Sequence, residues 1–324
     1  MDRISFIFSF FFLLSAISFG QETKVQSDED AAANVVHLLS YVALDYGEAV
    51  EDGVIADEEE FEEQQEFVEK TIQLTEQSAF VFNEKKEQLL LHLNDLKQKI
   101  DAVASADLVA KLAKEIAREI ILATKIPTAP KLWPSLSEGK ALYAQHCATC
   151  HGNTGRGDGP AGVGLLPLPS SFFNAEMMDH FSVYQAFNTI RFGLDDTGMR
   201  PFYELSQEEI WALAFYVKSI RHEDPSLSKN QLKAHFEEIS KEIDLADVAW
   251  LTDEELLAKI KDISPENALM KFKALRVLTP KNEAEEIVLE AIENKTKSLN
   301  WWLFLAVLPL LLGMYWFSKR TKKK

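Results

Sequence analysis

The spacing of apolar residues predicts helices along most of the chain. Between residues 30 and 124 it predicts four, at about 30–50, 57–77, 83–103 and 106–124. Aliphatic residues recur every three or four positions in the last two, the period of one helix face: Leu89, Leu93, Leu96, Ile100 and Val103, then Leu108, Leu112, Ile116 and Ile120. Four helices with short connections favour an up-down bundle, so the expected fold class is all-α.

Two apolar runs lie near the ends of the chain. Residues 4–19 precede small and then polar residues, which is typical of a cleaved secretory signal peptide. Residues 301–317 contain no charge, have aromatic residues at both ends and are about as short as a membrane-spanning helix can be. Basic residues follow, so the positive-inside rule places the tail in the cytoplasm. We expect a single-pass cell-membrane protein whose bulk is periplasmic or extracytoplasmic.

These patterns divide the chain into seven segments. In order, they are a signal peptide (1–20), a helical bundle (21–126), a proline-rich linker (127–135), a central domain (136–222), a helical stalk (223–299), a transmembrane helix (300–318) and a basic cytoplasmic tail (319–324). The stalk is acidic and is interpreted as a spacer or a docking element.

Charge and composition narrow the function. The chain has 324 residues, 51 acidic and 34 basic, for a net charge of −17, which argues against binding nucleic acid. Glu62 and Glu66 lie four apart in an acidic run, where carboxylates could bind iron. The bundle has no Glu-x-x-His motif, and His37 and His92 are isolated. A solvated face that steers a basic partner is the favoured interpretation, with Fe ions at this acidic helical region as the alternative.

The chain has two cysteines, and they lie in the run Cys147-Ala148-Thr149-Cys150-His151. C-x-x-C-H is the attachment signature of c-type haem, because two thiols one helical turn apart can each bond one vinyl group of the porphyrin. A zinc site would need further Cys or His ligands at suitable spacing. The run therefore predicts one covalently bound haem c, with His151 as an axial ligand of the iron.

The second axial ligand decides the chemistry of such a centre. Met199 follows downstream in a loop that Gly198 and Pro201 would hold close and rigid. Met177, Met178 and His180 are competitors, interpreted as packing or surface residues. Ligation by His151 and Met199 fills both axial positions, so we expect an electron-transfer protein and not a substrate-converting enzyme.

The segment from residue 136 to 221 resembles a class I cytochrome c. A helix capped by Ser137 leads into the haem motif, and a capping signal at Ser206 opens a final helix. The resemblance implies that these two helices cross at Gly139 against Tyr216. It also implies a glycine-rich turn at the haem edge, at 152–160.

The same resemblance implies the surroundings of the haem. The carbonyl of Pro167 or Pro169 would orient the His151 ring, and Arg156 would lie near the haem.

Residues 34–46 and the acidic stretch after them resemble the N-terminal region of bacterial proteins that join a cytochrome c to an Ftr-type iron permease. The Arg-Glu-x-x-Glu motif of the permease is missing, since Arg118-Glu119-Ile120-Ile121-Leu122 lacks the final Glu. The resemblance therefore implies a cytochrome that transfers single electrons to support iron uptake by a separate permease. A subunit of a respiratory complex and a haem-based sensor or scaffold are the alternatives.

Overall fold

A computed structural model describes residues 27–81, 84–195 and 197–280. Its regular structure is helical, as expected, apart from one two-stranded hairpin. The predicted signal peptide, the membrane helix, the basic tail and the end of the stalk from residue 281 lie outside these ranges. Within them, no helix combines the length and the apolar character needed to span a membrane.

Four helices form the N-terminal bundle. They are α1 (Asp28–Ala49), α2 (Glu58–Gln77), α3 (Glu84–Asp101) and α4 (Ala106–Thr124), with the hairpin strands β1 (Val50–Glu51) and β2 (Val54–Ile55) between the first two. Each helix packs against the next, and α1 also packs against α4, which closes the bundle. Helix α1 begins two residues before the predicted start because Ser27 and Asp30 form a capping box.

The predicted apolar stripe is confirmed for α3 as far as Ile100, and on α4 it is confirmed at Ile116 and Ile120 but not at Leu108. Leu89, Leu93, Leu96 and Ile100 of α3 are buried. On α4, the buried face is Val109, Ala113, Ile116, Ala117 and Ile120, whereas Leu108 is 39% exposed. The neighbouring stripe has the same period, so spacing alone could not decide which of the two faces the core.

The middle of the chain forms a second helical unit. It contains α5 (Leu136–His146), α6 (Ala148–His151), a 3-10 turn (Pro160–Gly162), α7 (Ala175–Asp179), α8 (Val183–Phe192) and α9 (Gln207–Ile220). The first and last of these helices cross as predicted. A Cβ on Gly139 would lie 2.1 Å from the Ala212 carbonyl oxygen and 2.7 Å from the Tyr216 Cβ. The crossing therefore requires glycine.

Serine side chains cap both of the crossing helices. The predicted capping box at Ser206 is confirmed. The prediction for α5 was wrong: its cap is Ser135, whose hydroxyl accepts the Glu138 N–H at 3.1 Å, and Ser137 lies inside the helix. Glu138 stands three residues after Ser135, the spacing of a capping pair, and this spacing identifies the correct serine.

Four more helices follow, α10 (Lys229–Ile239), α11 (Leu245–Trp250), α12 (Asp253–Ile263) and α13 (Ala268–Val277). The prediction of a spacer or stalk needs correction here, because α11, α12 and α13 pack against α8, α7 and α9. The cause is an apolar face on each of the last two helices, where Leu256, Ile260, Phe272 and Leu275 are buried. This part of the chain extends the middle unit.

A buried ion cluster lies where these helices meet α9. The Asp253 carboxylate, 3% exposed, is 2.6 Å from Arg276, 2.7 Å from Arg221 and 3.0 Å from both Lys218 and His222. Burial opposes ionisation of Asp253, but the charge of Arg276, the hydrogen bond with His222 and the charge of Lys218 outweigh it and hold the pKa of the carboxyl well below its usual range. Asp253 is therefore a carboxylate in the folded protein.

Candidate haem site

The two cysteines lie on a single helical turn. The chain leaves α5 at Cys147, whose N–H donates to the Tyr143 carbonyl at 2.9 Å, and turns at once into α6. The N–H groups of Cys150 and His151 both donate to the Cys147 carbonyl, at 3.1 and 2.9 Å. Neither cysteine is in a disulfide. The turn thus presents two thiols and an imidazole from one short segment.

The His151 ring is oriented by a backbone carbonyl. Its Nδ1 lies 3.1 Å from the Ser170 carbonyl oxygen, which can only accept, so Nδ1 carries the proton and Nε2 keeps a lone pair. The ring also stacks on Phe172, with centroids 4.9 Å apart. Burial lowers the pKa of His151, which favours the neutral ring. A neutral, oriented imidazole is the form that binds iron.

The prediction that Pro167 or Pro169 supplies this carbonyl was wrong by one to three residues. The Pro169 carbonyl faces the glycine-rich turn instead, where a Cβ on Gly157 would lie 2.3 Å from its oxygen. Gly157 has φ of 75° and donates its N–H to the His151 carbonyl at 2.9 Å. Because the Pro169 carbonyl lies against the turn at Gly157, the carbonyl that accepts from His151 is the next one, that of Ser170.

Met199 lies in a closed loop after α8. Gly193 ends the helix with φ of 71°. The Leu194 N–H donates to the Met199 carbonyl at 2.9 Å, and the Met199 N–H donates to the Thr197 hydroxyl at 3.0 Å. The Met199 side chain is half-buried against the core.

The Met199 loop touches the loop that runs from Cys150 to Ser170. A Cβ on Gly198 would lie 2.7 Å from the Leu165 Cδ1, so the neighbour of Met199 contacts the segment that orients His151. The structure thus brings together the two segments that carry the predicted axial ligands.

Two of the three competing ligands, Met178 and His180, have other contacts, and Met177 packs against the core while partly buried. Met178 is 1% exposed, and its carbonyl accepts a hydrogen bond from Lys218 at 2.7 Å. His180 pairs with Glu254 at 3.3 Å. Among these candidates, Met199 remains the one on a loop beside the haem motif.

Apolar side chains around the haem motif fit a porphyrin. Val163, Leu166 and Leu168 are 82%, 83% and 67% exposed, on the loop that begins beside the Cys150 carbonyl and ends at Ser170. Exposed apolar side chains on the loop that orients His151 suit contact with the apolar surface of haem. The residues present therefore fit haem c.

Two predicted haem neighbours lie on or beside this surface. Pro167 is exposed within the same loop. The Arg156 guanidinium stands 4.2 Å from the centre of the Phe173 ring, in a cation–π contact at the edge of the same region. Their contact with haem stays a prediction.

The acidic region of the bundle is the second place where the sequence allowed a metal site. Over the part of the chain that the structure describes, no group of three or more His, Cys, Asp or Glu side chains is placed to hold a metal ion. Glu62 and Glu66 lie on α2, and both residues are exposed. Exposed carboxylates of this kind are typical of a solvated face, and iron binding in this region stays a prediction.

Comparison with known protein families agrees with the site. Residues 136–221 match the family of cytochrome c, and residues 21–127 match the iron permease-associated 4-helix bundle domain. No curated protein and no solved structure matches the chain. The protein therefore joins an iron permease-associated 4-helix bundle to a cytochrome c domain that carries covalently bound haem c.

Proposed function

We propose that this protein is a membrane-anchored, extracytoplasmic mono-haem cytochrome that transfers single electrons in support of iron uptake by a separate Ftr-type permease. One observation carries the proposal: a bundle of the iron permease-associated type is joined to a haem c domain and packs against it, α1 on α8. Electron transfer follows from the cytochrome c domain, and the association with iron from the bundle.

The residues around the haem suit a carrier of electrons. When bound, haem c supplies a reversible one-electron couple between ferric and ferrous iron. Cys147 and Cys150 would hold it covalently, and the His151 Nε2 and the Met199 thioether would bind its iron. The Ser170 carbonyl accepts from Nδ1 of His151, which leaves the Nε2 lone pair free for the iron. With both ligands bound, no position on the iron would be left for a substrate.

The membrane anchor is supported by the sequence. The uncharged run at 301–317 has aromatic residues at both ends and basic residues after it, and the run at 4–19 has the features of a signal peptide. A variant that ends at residue 299 should appear in the soluble extracytoplasmic fraction, whereas the full chain should stay in membranes after alkaline carbonate extraction. Recovery of both in one fraction would refute the anchor.

Iron uptake tests the function directly. We expect loss of the gene to slow uptake of labelled iron during iron-limited growth, and the full chain to restore it. A chain with Cys147→Ala and Cys150→Ala should not restore uptake, because it cannot attach haem. Uptake that is normal with this variant would contradict a role for the haem in iron transport, while leaving the cytochrome itself in place.

A further inference from the structure

Helix α1 of the bundle contacts the cytochrome domain at the end of α8 and at the loop that follows. His37, 3% exposed, places Nε2 3.3 Å from the Gly193 carbonyl oxygen. One turn later, the Tyr41 hydroxyl lies 2.9 Å from the Thr189 hydroxyl. One buried and one half-buried polar side chain of the bundle, His37 and Tyr41, thus contact the cap of α8 and its final turn.

Ion pairs reinforce the same junction. Asp30 of α1 pairs with Arg191 of α8, and Lys70 of α2 pairs with Asp195 in the loop. The Asp30–Arg191 pair is largely shielded from solvent, with side chains 25% and 14% exposed, so screening weakens it less than a surface pair. The bundle therefore contacts α8 and the loop after it through several polar side chains.

His37 is the donor in its contact with Gly193. A carbonyl oxygen can only accept, so the proton lies on Nε2. Burial lowers the pKa of His37 to about 4, which leaves the ring neutral with a single proton at physiological pH. The ring meets Tyr41 edge-on, with centroids 5.0 Å apart, and packs against Phe192 at 5.7 Å. These neighbours fix the direction of the donor.

Gly193 is also the first residue of the loop that carries Met199. A Cβ on Gly193 would lie 2.5 Å from the Met199 carbonyl oxygen. The next residue, Leu194, donates its N–H to that same oxygen at 2.9 Å. The bond from His37 therefore ends one peptide away from the bond that closes the Met199 loop.

We propose that α1, through His37 and Tyr41, positions the Met199 loop and so sets how often the Met199 thioether leaves the iron. The inference rests on the proposed ligation by Met199. Thioether ligation favours ferrous iron, so an α1 that shifts away would lower the redox potential. A partner that moves α1 by binding the bundle thereby changes the haem, and the bundle becomes a control element for electron transfer.

Titration of the ferric haem protein with imidazole tests this coupling. Added imidazole binds the iron when Met199 has left, so its apparent affinity reports the open fraction of the loop. His37→Leu removes the donor and keeps an apolar side chain in its place. Loss of one buried hydrogen bond should tighten apparent imidazole binding roughly tenfold. His37→Gln keeps an N–H near the position of Nε2 and should return the affinity most of the way to that of the parent protein.

Tyr46→Phe is the matched control. Tyr46 is another buried residue of α1, and its hydroxyl donates to the Ala104 carbonyl at 3.0 Å inside the bundle. Its removal costs a comparable hydrogen bond without touching the loop, so imidazole binding should be unchanged. An equal shift in Tyr46→Phe and His37→Leu, or no shift in either, would overturn the proposal.

Two further variants complete the test. Tyr41→Phe removes one hydroxyl and should tighten imidazole binding in the same direction; an unchanged affinity overturns the proposal even if His37→Leu does not fold. Met199→Ala should abolish the weak red absorption of a ferric sulfur–iron bond. If that absorption persists, the ligand assignment fails. If it is lost while the His37 and Tyr41 variants match the parent protein, the role of α1 alone is refuted.

Discussion

Asp253→Asn should detach the helices after residue 228 from the cytochrome domain and lower the free energy of unfolding. The substitution keeps the shape of the side chain and removes its negative charge. Arg276 is 1% exposed and Arg221 is 10% exposed, so two guanidinium groups would remain close together with little water around them. Breaking a buried ion pair in this way costs about 3–5 kcal/mol. A typical domain has only about 5–15 kcal/mol of stability, so the loss is large.

Urea unfolding followed by circular dichroism measures this loss. The matched control is Asp247→Asn, which breaks a pair with Lys259 at 2.7 Å whose side chains are 25% and 41% exposed. Water screens that pair, so the control should lose about 1 kcal/mol or less. We also expect protease cleavage between residues 222 and 280 to speed up in Asp253→Asn alone. Equal losses of stability in the two variants would contradict the claim that the Asp253 ion cluster holds these helices against α9.

Three more predictions concern two glycines in close contact with carbonyl oxygens and one half-buried acid. Gly139→Ala should destabilise the fold by about 3 kcal/mol or more in urea unfolding, because its Cβ would lie 2.1 Å from the Ala212 carbonyl oxygen; a loss below 1 kcal/mol would contradict the helix crossing. Gly193→Ala, with φ of 71° and a Cβ 2.5 Å from the Met199 carbonyl oxygen, should displace the loop and weaken the red sulfur–iron absorption; an unaltered spectrum would contradict the loop geometry. Burial and neighbouring glutamates raise the pKa of Asp45 to about 7. The folded bundle holds this proton more tightly than the unfolded chain does, so its contribution to stability falls as the pH rises from about 4 to 7. Asp45→Asn should therefore raise the free energy of unfolding by about 2–4 kcal/mol at pH 8 and by little at pH 4. Equal increases at the two pH values would refute the raised pKa of Asp45.

Local chemistry explains what the sequence predicted correctly. The bundle helices could be predicted because the repeat of apolar residues and the capping residues are both patterns among residues a few positions apart. The haem motif is equally local, because Cys147, Cys150 and His151 fall within one helical turn. Gly139 and Tyr216 were paired through the resemblance to cytochrome c, since no local pattern joins residues so far apart.

The missed features depend on partners that are distant in the chain. Every residue has a carbonyl, so no side-chain pattern marks Ser170 as the acceptor for His151. Asp253 opens the acidic run Asp253-Glu254-Glu255, which has the composition of a solvated surface. It is buried because α9 and α13 bring cations to it. His37 is likewise an isolated histidine in the sequence, and only the packing of α1 on α8 gives it a role.

Exposure of the reduced protein to carbon monoxide tests the central claim most directly. The claim is that haem c at Cys147 and Cys150 has both axial positions filled by the chain, so that it carries electrons and binds no substrate. Purified full-length protein, reduced with dithionite, should keep the same visible spectrum when carbon monoxide is added at neutral pH. Rapid formation of a carbon monoxide adduct would show an open position on the iron and contradict the account.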